Sequence, residues 1–333
     1  MYKRQCIGYK APQEFLRTGS PGAVVAQLLT NLRPEARPWI EKLKQRGVAT
    51  LYSVSQFPSW PAKPHKRWFR GPGYRRVYNS FDALVTNSPA IKDFLQDIGV
   101  TTRVEYIPNG VNLERFRPAD TPELEQARQQ LRDKLGIAPG HKVIATVGAV
   151  MPRKGPELAI EAWNSLLESH PDTHLLLVGP RADRHDDKLS AFGAKLDALV
   201  RGSTKPHQVH FAGQVDDVEA WLRAADLFVL PTNREGTPNS VLEALATGLP
   251  SVVTDFTGRS AAIGTPGREY QLVERNAAAI AGALGGLLSE PGARVRWSAA
   301  GLDYIRSRMD VQVSLDTYAD LYRELGQEAL ARR

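Results

Sequence analysis

The chain has one cysteine, Cys6, among 333 residues, and no apolar run long enough to cross a membrane as a helix. A single cysteine excludes an internal disulfide framework and a multi-cysteine metal site, which favours a reducing compartment. The chain also lacks a G-x-G-x-x-G fingerprint, which argues against a nicotinamide dehydrogenase. Its 42% hydrophobic and 24% charged residues are ordinary for globular proteins, and its length exceeds what one core usually holds. We therefore expect a cytosolic protein of two domains.

The second half of the chain alternates strand patterns with helical patterns. The predicted strands are residues 142–147, 173–178, 209–215, 226–231 and 251–254. The predicted helices are residues 157–168 and 217–225, followed by a helix-rich segment from 271 to 330 that includes 277–288 and 313–325. This alternation predicts an open parallel sheet whose ligand crevice lies at the carboxyl ends of the strands.

Two carboxylates flank the predicted start of the helix that follows the 226–231 strand. Glu235 lies in the loop before this helix, and Glu243 lies inside it. Thr237 can cap the helix, and Pro238 suits its first turn. The first backbone N–H groups of the helix then lack intrahelical partners and can bind phosphate; they belong to Asn239, Ser240 and Val241. Taken alone, two glutamates at this spacing are most often solvated surface charges.

The sequence around these glutamates resembles the signature of the family 4 glycosyltransferases. Seven residues separate the two glutamates, and Ala-x-Ala-x-Gly-x-Pro and a valine-rich strand follow. The resemblance implies an α/β protein with the GT-B fold, in which two Rossmann-like domains with parallel sheets face each other across a cleft. The loop at 151–156 has Arg153 and Lys154 at the positions where the family has an arginine and a lysine that clamp the donor diphosphate. Taken alone, the sequence of this loop indicates only a solvated basic turn.

The resemblance also implies a role for each matching residue. Glu235, Arg153 and Lys154 are expected to be catalytic, with Glu235 on the sugar hydroxyls and the two cations on the diphosphate. Glu243 is expected to bind the ribose. The remaining expected donor-binding residues near the helix start are Gly236, Thr237, Pro238, Asn239, Ser240 and Val241.

The first half of the chain shows a second stretch of resemblance. Its predicted strands are residues 23–29, 49–54, 83–87 and 104–107, and its predicted helices are 34–47, 73–79 and 90–98. Residues 81–88, 107–112 and 116–118 resemble the second half of a family 4 acceptor domain. This implies that Asn109 and Gly110 lie close to the donor, although Asn-Gly alone indicates only a tight turn.

The chain departs from the family pattern in two places. After the 49–54 strand the family commonly has a histidine, whereas this chain has Ser55 and Gln56, which we assign to the acceptor side. No Gly-rich loop follows the first predicted strand, so we expect the N-terminal domain to lack its first several tens of residues. The expected domains are a partial acceptor-side domain at 1–118, a donor-binding domain at 119–315, and a last helix at 316–333 that packs across both. The stretch at 117–125, rich in Pro, Asp and Thr, is the expected linker at the boundary.

The basic charge is concentrated in the first of these domains. Residues 1–118 hold 19 Lys and Arg against 8 Asp and Glu, whereas the whole chain has a net charge of +7. Much of this charge lies in the stretch at 61–76, where cations alternate with aromatic residues. Three interpretations of this stretch remain open: it docks on anionic lipid, it binds an anionic acceptor, or it is a solvated face. No recognition motif for nucleic acid accompanies it. The cations concerned are Lys63, Lys66, Arg67, Arg70, Arg75 and Arg76.

The expected reaction is transfer of a sugar, with retention of anomeric configuration, from a nucleotide-sugar to a hydroxyl acceptor such as a glycolipid, a polysaccharide or a cell-envelope precursor. No metal or other cofactor is expected, because two cations and a helix start can neutralise the leaving diphosphate. The expected location is cytoplasmic, including the inner face of the membrane. The alternative is an inactive fragment or a membrane-peripheral nucleotide-binding module. An epimerase or phosphorylase is disfavoured, because the glutamate spacing fits and no lysine suited to pyridoxal phosphate stands out.

Overall fold

The computed structural model describes residues 25–28, 36–58, 64–181 and 189–332, and the side chains of these residues other than those of 64–70. Lys63 and the region before the first strand lie outside the described residues, as do the side chains of Lys66, Arg67 and Arg70. Contacts divide the chain into two compact units, residues 1–109 with 312–333 and residues 110–311.

The strands are β1 (Val25–Leu28), β2 (Ala49–Val54), β3 (Ala83–Thr86), β4 (Arg103–Tyr106), β5 (Lys142–Val147), β6 (Thr173–Val178), β7 (Val209–Gly213), β8 (Leu227–Leu230), β9 (Ser251–Thr254) and β10 (Gln271–Val273). The α-helices are α1 (Arg37–Gln45), α2 (Pro64–Tyr78), α3 (Pro89–Asp97), α4 (Pro122–Lys134), α5 (Pro156–Leu166), α6 (Ser190–Arg201), α7 (Val218–Ala224), α8 (Asn239–Ala246), α9 (Ala277–Ser289), α10 (Pro291–Arg308) and α11 (Val311–Ala331). Among the helices in these ranges, none is both long and apolar enough to span a membrane.

The first unit contains a parallel sheet in the order β1-β2-β3-β4. Because successive strand residues point to opposite faces, Leu84 packs with Ile91 and Leu95 of α3 on one face. On the other face, Ala83 and Val85 join a cluster with Leu321, Leu325 and Ala329 of α11. The last helix is therefore part of the core of the first unit.

The second unit contains a parallel sheet in the order β10-β9-β8-β5-β6-β7, with a hydrophobic cluster on each face. The chain runs from β5 outward through β6 to β7 and then returns to β8 on the other side of β5. The neighbours β5 and β8 are thus the point where the strand order reverses, which is where open α/β sheets bind their ligands.

The limits of the two units agree only approximately with the predicted domain limits at residues 118 and 315. The predicted limit at residue 118 lies inside the second unit, because Val111 exchanges hydrogen bonds with the 309–311 segment and Phe116 is buried in that unit's core. Gly110 is required there, since a Cβ at this position would lie 2.2 Å from the Cα of Val311. The packing of the last helix across both domains stays a prediction.

Several predicted elements differ from the observed ones. The helix predicted at 73–79 begins at residue 64 and runs through Pro72. The predicted linker at 117–125 runs into α4, whose N-cap is Thr121 with Pro122 in the first turn. The segment from 271, predicted to be helix-rich, opens with the strand β10. The helix α6 has no predicted counterpart.

Candidate active site

The candidate site of the second unit lies where β5 and β8 end. These strands pair in parallel, with Ile144 opposite Leu227, so the loops that follow them leave the sheet at the same edge. The loop after β5 carries Arg153 and Lys154, and the loop after β8 carries Glu235. The crossover in strand order therefore brings together residues more than 80 positions apart in the sequence.

Glu235 is the centre of this site. Its side chain is 8% exposed, and its Oε1 lies 2.7 Å from Nη1 of Arg153 and 2.8 Å from Nζ of Lys154. The hydroxyl of Thr232 donates to the same oxygen at 2.8 Å. The two cations remain 21% and 19% exposed, so both can also reach a ligand from solvent. The arrangement is a pair of cations held in place by one buried carboxylate.

Backbone contacts hold the two loops together. The Arg153 carbonyl accepts from the Asn233 N–H at 3.1 Å. The Thr232 hydroxyl lies 3.1 Å from the same carbonyl and shares its one proton between this oxygen and Oε1 of Glu235. In return, Nη1 of Arg153 donates to the carbonyl of Arg234 at 2.8 Å. Sequence reasoning missed Thr232, which is fully buried and bonds to both loops. The sequence signal that could have identified Thr232 is its position directly after the β8 strand and Pro231.

Gly155 allows the close approach of these loops. It has a φ of 68°, and a Cβ placed on it would lie 2.2 Å from the carbonyl oxygen of Pro231. Any other residue would need a strained left-handed backbone and would also collide with the end of β8. A glycine at this position is thus a geometric requirement of the site.

The start of α8 differs from the prediction. Pro238, with φ of −73° and ψ of 109°, is the N-cap, and the helix begins at Asn239, so Thr237 is not the cap residue. The carbonyl of Pro238 accepts from the Val241 N–H at 3.2 Å, an i→i+3 bond of the kind that satisfies backbone groups at helix ends. The Val241 N–H therefore has a partner in the first turn, and the prediction that it lacks one is wrong. Thr237, Ser240 and Gly236 are buried at this helix start.

Glu243 lies on α8 and is partly buried. Burial raises the pKa of its carboxyl above the ordinary value, the charge of Arg115 counteracts this rise, and Glu219 adds to it. Arg115 is itself anchored to Glu219 at 2.7 Å and to the carbonyl of Asp216. A desolvated carboxylate near a cation is a suitable acceptor for ligand hydroxyl groups.

The other predicted site residues belong to different places in the fold. Ser55 and Gln56 are exposed and follow β2 in the first unit. Asn109 is the last residue of the first unit's N-terminal segment, and Gly110 is the first residue of the second unit. The residues that the structure brings into direct contact are Arg153, Lys154 and Glu235.

Solved structures of similar fold support the GT-B assignment. Anabaena HepE in complex with UDP superposes with a TM-score of 0.72 at 17% identity, covering 90% of this chain and 78% of that one. The sucrose-phosphate synthase of Thermosynechococcus elongatus gives a TM-score of 0.73 at 22% identity, covering 93% and 75%. The fold class predicted from the sequence is therefore confirmed.

Family models identify the chain more closely. Residues 13–115 match the model described as Glycosyltransferase Family 4, and residues 141–290 match the model of Glycosyl transferases group 1. The chain belongs to the family 4 glycosyltransferases, as the sequence motifs predicted.

The relatives include enzymes that act on different substrates. The lipopolysaccharide core biosynthesis mannosyltransferase of Rhizobium meliloti is 28% identical over 235 residues, which cover 67% of this chain and 61% of that one. A GDP-mannose-dependent phosphatidylinositol monomannoside mannosyltransferase of Corynebacterium glutamicum is 28% identical, covering 74% and 64%. A galactosyltransferase of Escherichia coli acting on a diphosphoundecaprenol substrate is 32% identical, covering 47% and 38%. The chain thus spans between 38% and 64% of the lengths of these relatives.

Proposed function

We propose that the protein is a retaining glycosyltransferase that moves a sugar from a nucleoside diphosphate sugar to a hydroxyl acceptor. The observation that carries the proposal is the convergence of Arg153 and Lys154 on Glu235 at the reversal point of the sheet. Two adjacent cations can neutralise the charge that develops on a leaving diphosphate. Relatives that use UDP-galactose or GDP-mannose support a nucleotide-sugar donor.

We assign the following roles in this reaction. Arg153 and Lys154 clamp the diphosphate, the start of α8 contributes backbone N–H groups of Asn239 and Ser240, and Glu243 accepts from the ribose hydroxyls. When the diphosphate attracts the two cations, the Glu235 carboxylate is released to accept from hydroxyls of the donor sugar. Ser55 and Gln56, with Asn109 and Gly110, remain proposals for the acceptor and donor sides.

Thermal unfolding with UDP, GDP and ADP, with circular dichroism as the check on folding, tests the donor site. A nucleotide present at 100 times its dissociation constant is expected to stabilise the wild type by about 2.7 kcal/mol. Glu243→Ala should lose this stabilisation, whereas Glu168→Ala, at an exposed position, should keep it. A folded wild type that responds to none of the nucleotides would refute the donor site. Nucleotide binding without donor turnover would favour a binding module.

We also propose that the acceptor is lipid-linked and that the first unit docks on anionic lipid at the cytoplasmic face of the inner membrane. A relative that acts on a diphosphoundecaprenol substrate supports the lipid-linked acceptor. Docking is supported by a cleft of about 570 Å³ between α1 and the end of α2, whose lining includes Arg37, Lys44, Arg75 and Arg76. Arg37 pairs with Glu41. Lys44 pairs with Asp82. Among the described residues, Arg75 and Arg76 form no ion pair, so their charges are available to an anionic partner.

Flotation with vesicles of phosphatidylcholine, with or without phosphatidylglycerol, tests this part. Replacing both Arg75 and Arg76 by serine should weaken binding to the anionic vesicles by roughly thirtyfold, at about 1 kcal/mol for each basic residue near the surface. The matched control replaces the exposed Arg306 and Arg308, at the end of α10, by serine. Equal losses in both double variants, or binding that ignores the anionic lipid, would refute docking through this cleft.

A further inference from the structure

Arg275 ties together two strand ends of the second unit. It lies just after β10, and its Nε donates to the carbonyl of Pro231 at 3.1 Å. Pro231 is the first residue after β8, and β9 lies between β8 and β10 in the sheet. The Arg275 side chain therefore reaches across the carboxyl edge of the sheet toward the candidate active site.

The Pro231 carbonyl is also where the cationic loop approaches β8. The Cβ position of Gly155 lies 2.2 Å from this oxygen and 3.1 Å from Nη2 of Arg275. Gly155 directly follows Lys154. One carbonyl thus contacts the loop on one side and accepts from Arg275 on the other.

Arg275 also faces a buried carboxylate at the start of α5. Oε1 of Glu157 lies 4.0 Å from Nη2 of Arg275, and the Glu157 side chain is 15% exposed. In the part of the chain that the structure describes, Oε2 of Glu157 is buried without a hydrogen-bond partner. The pKa of Glu157 is raised, mainly by burial. The charges of Lys195 and Arg275 counteract this rise, and the charge of Glu161 adds to it. Lys195 lies 3.6 Å from Glu161, so Arg275 is the cation that the geometry assigns to Glu157.

We propose that Arg275 is a positioning residue that fixes the backbone of the Arg153–Lys154 loop against the end of β8, so that the two cations can leave Glu235 for a diphosphate without the loop moving. This inference rests on the proposed function for the identity of the ligand. A side chain that changes partners needs a backbone that stays in place, and Arg275 supplies a contact on the Pro231 carbonyl and a charge beside Glu157. It does not itself need to touch the nucleotide.

Hydrogen–deuterium exchange of the 151–157 amides in the full chain tests the loop directly. Arg275→Met removes both contacts and should increase the exchange rate roughly tenfold or more, since hydrogen bonds made by charged groups are the stronger ones. Arg275→Lys keeps the charge but loses the fork geometry and should give an intermediate rate. Arg268→Met, whose side chain is 74% exposed, is the control and should leave the exchange rate unchanged.

Nucleotide affinity, measured by calorimetry, provides the second readout. Arg275→Met should weaken the nucleotide found to bind by about tenfold, because a mobile clamp loses geometric precision. The ratio of the loop exchange rate in Arg275→Met to that in the wild type should also be smaller at a pH low enough to protonate Glu157. Protonation removes the negative charge that the variant leaves without its cation.

The outcomes separate the two proposals. If the wild type binds no nucleotide, the proposed function fails, and exchange of the loop amides still decides the role of Arg275. Wild-type exchange in a folded Arg275→Met variant would overturn the positioning role. If that variant does not fold, wild-type exchange in Arg275→Lys would overturn it instead.

Discussion

Replacing Gly155 by alanine tests whether the approach of the cationic loop to β8 is needed for the site. The substitution adds one methyl group at a position with φ of 68°, 2.2 Å from the Pro231 carbonyl oxygen. Two costs are expected. The left-handed backbone costs an alanine about 1–2 kcal/mol, and the collision requires the loop or the end of β8 to shift.

Gly136 provides a matched control for the first cost. Its φ is also 68°, and a Cβ there would meet nothing within 4 Å. Gly136→Ala should therefore lower the free energy of unfolding by about 1–2 kcal/mol, from backbone strain alone. Gly155→Ala should lower the free energy of unfolding by about 1–3 kcal/mol more than Gly136→Ala does, the usual range for overpacking a well-packed site.

Urea unfolding of the three proteins, followed by circular dichroism, measures these differences as shifts in the midpoint at constant slope. Nucleotide affinity then separates the two variants by function. We expect Gly136→Ala to bind nucleotide like the wild type and Gly155→Ala to bind at least tenfold more weakly, because Arg153 and Lys154 precede the displaced residue. Equal stabilities in the two variants would refute the steric argument, and unimpaired binding by Gly155→Ala would refute the role of the loop.

Three further predictions concern titratable groups. Glu235→Gln should lower the free energy of unfolding by about 2 kcal/mol, because two clustered cations lose their counter-charge, and saturating nucleotide should restore part of it in denaturation experiments. Burial raises the pKa of Glu243, so nucleotide affinity should fall as the pH drops below that raised pKa, and Glu243→Gln should remove this dependence in calorimetric titrations. Burial, with neighbouring cationic groups, lowers the pKa of His174 to about 4. The unfolded chain binds a proton on His174 near pH 6.5 and the folded protein does not, so stability is lost as the pH falls from 7 toward 4, by about 3 kcal/mol; His174→Gln should lose less by thermal unfolding.

The strands were the most predictable part of the fold. The limits of β2, β5, β6 and β9 match the predicted residues. Strands of a parallel sheet that is covered on both faces read as continuous apolar runs bounded by turn residues, and this signal is local. The three-residue β10 was missed because so short a strand has no detectable period.

The helix limits failed where proline and glycine suggested a break. The predicted helix began at Gly73, directly after Gly71 and Pro72, yet α2 begins at residue 64 and continues through all three. Pro122 was interpreted as part of a linker, although Thr121 before it is the cap of α4. Proline is favoured in the first turn of a helix, so the same residue that indicates a linker also indicates a helix start.

The site was predictable in its residues and not in its geometry. The motifs identified Arg153, Lys154 and Glu235, but no local pattern reports that the first two contact the third. That contact depends on β5 and β8 being neighbours, which follows from the strand order of the whole sheet. Arg275 carried no signal at all, because its partners are a backbone carbonyl and a glutamate far away in the sequence.

The contacts of Glu235 bear directly on the proposed reaction. One carboxylate oxygen accepts from Arg153, Lys154 and Thr232, so the cations are kept oriented and partly desolvated before any donor binds. A diphosphate carries more charge than this carboxylate and can draw both cations away from it. In the proposed reaction, the released Glu235 then has accepting capacity for sugar hydroxyls at the moment when the donor is in place. The proposal therefore couples donor binding to the availability of the carboxylate, and we expect Glu235→Gln to reduce turnover more than nucleotide affinity.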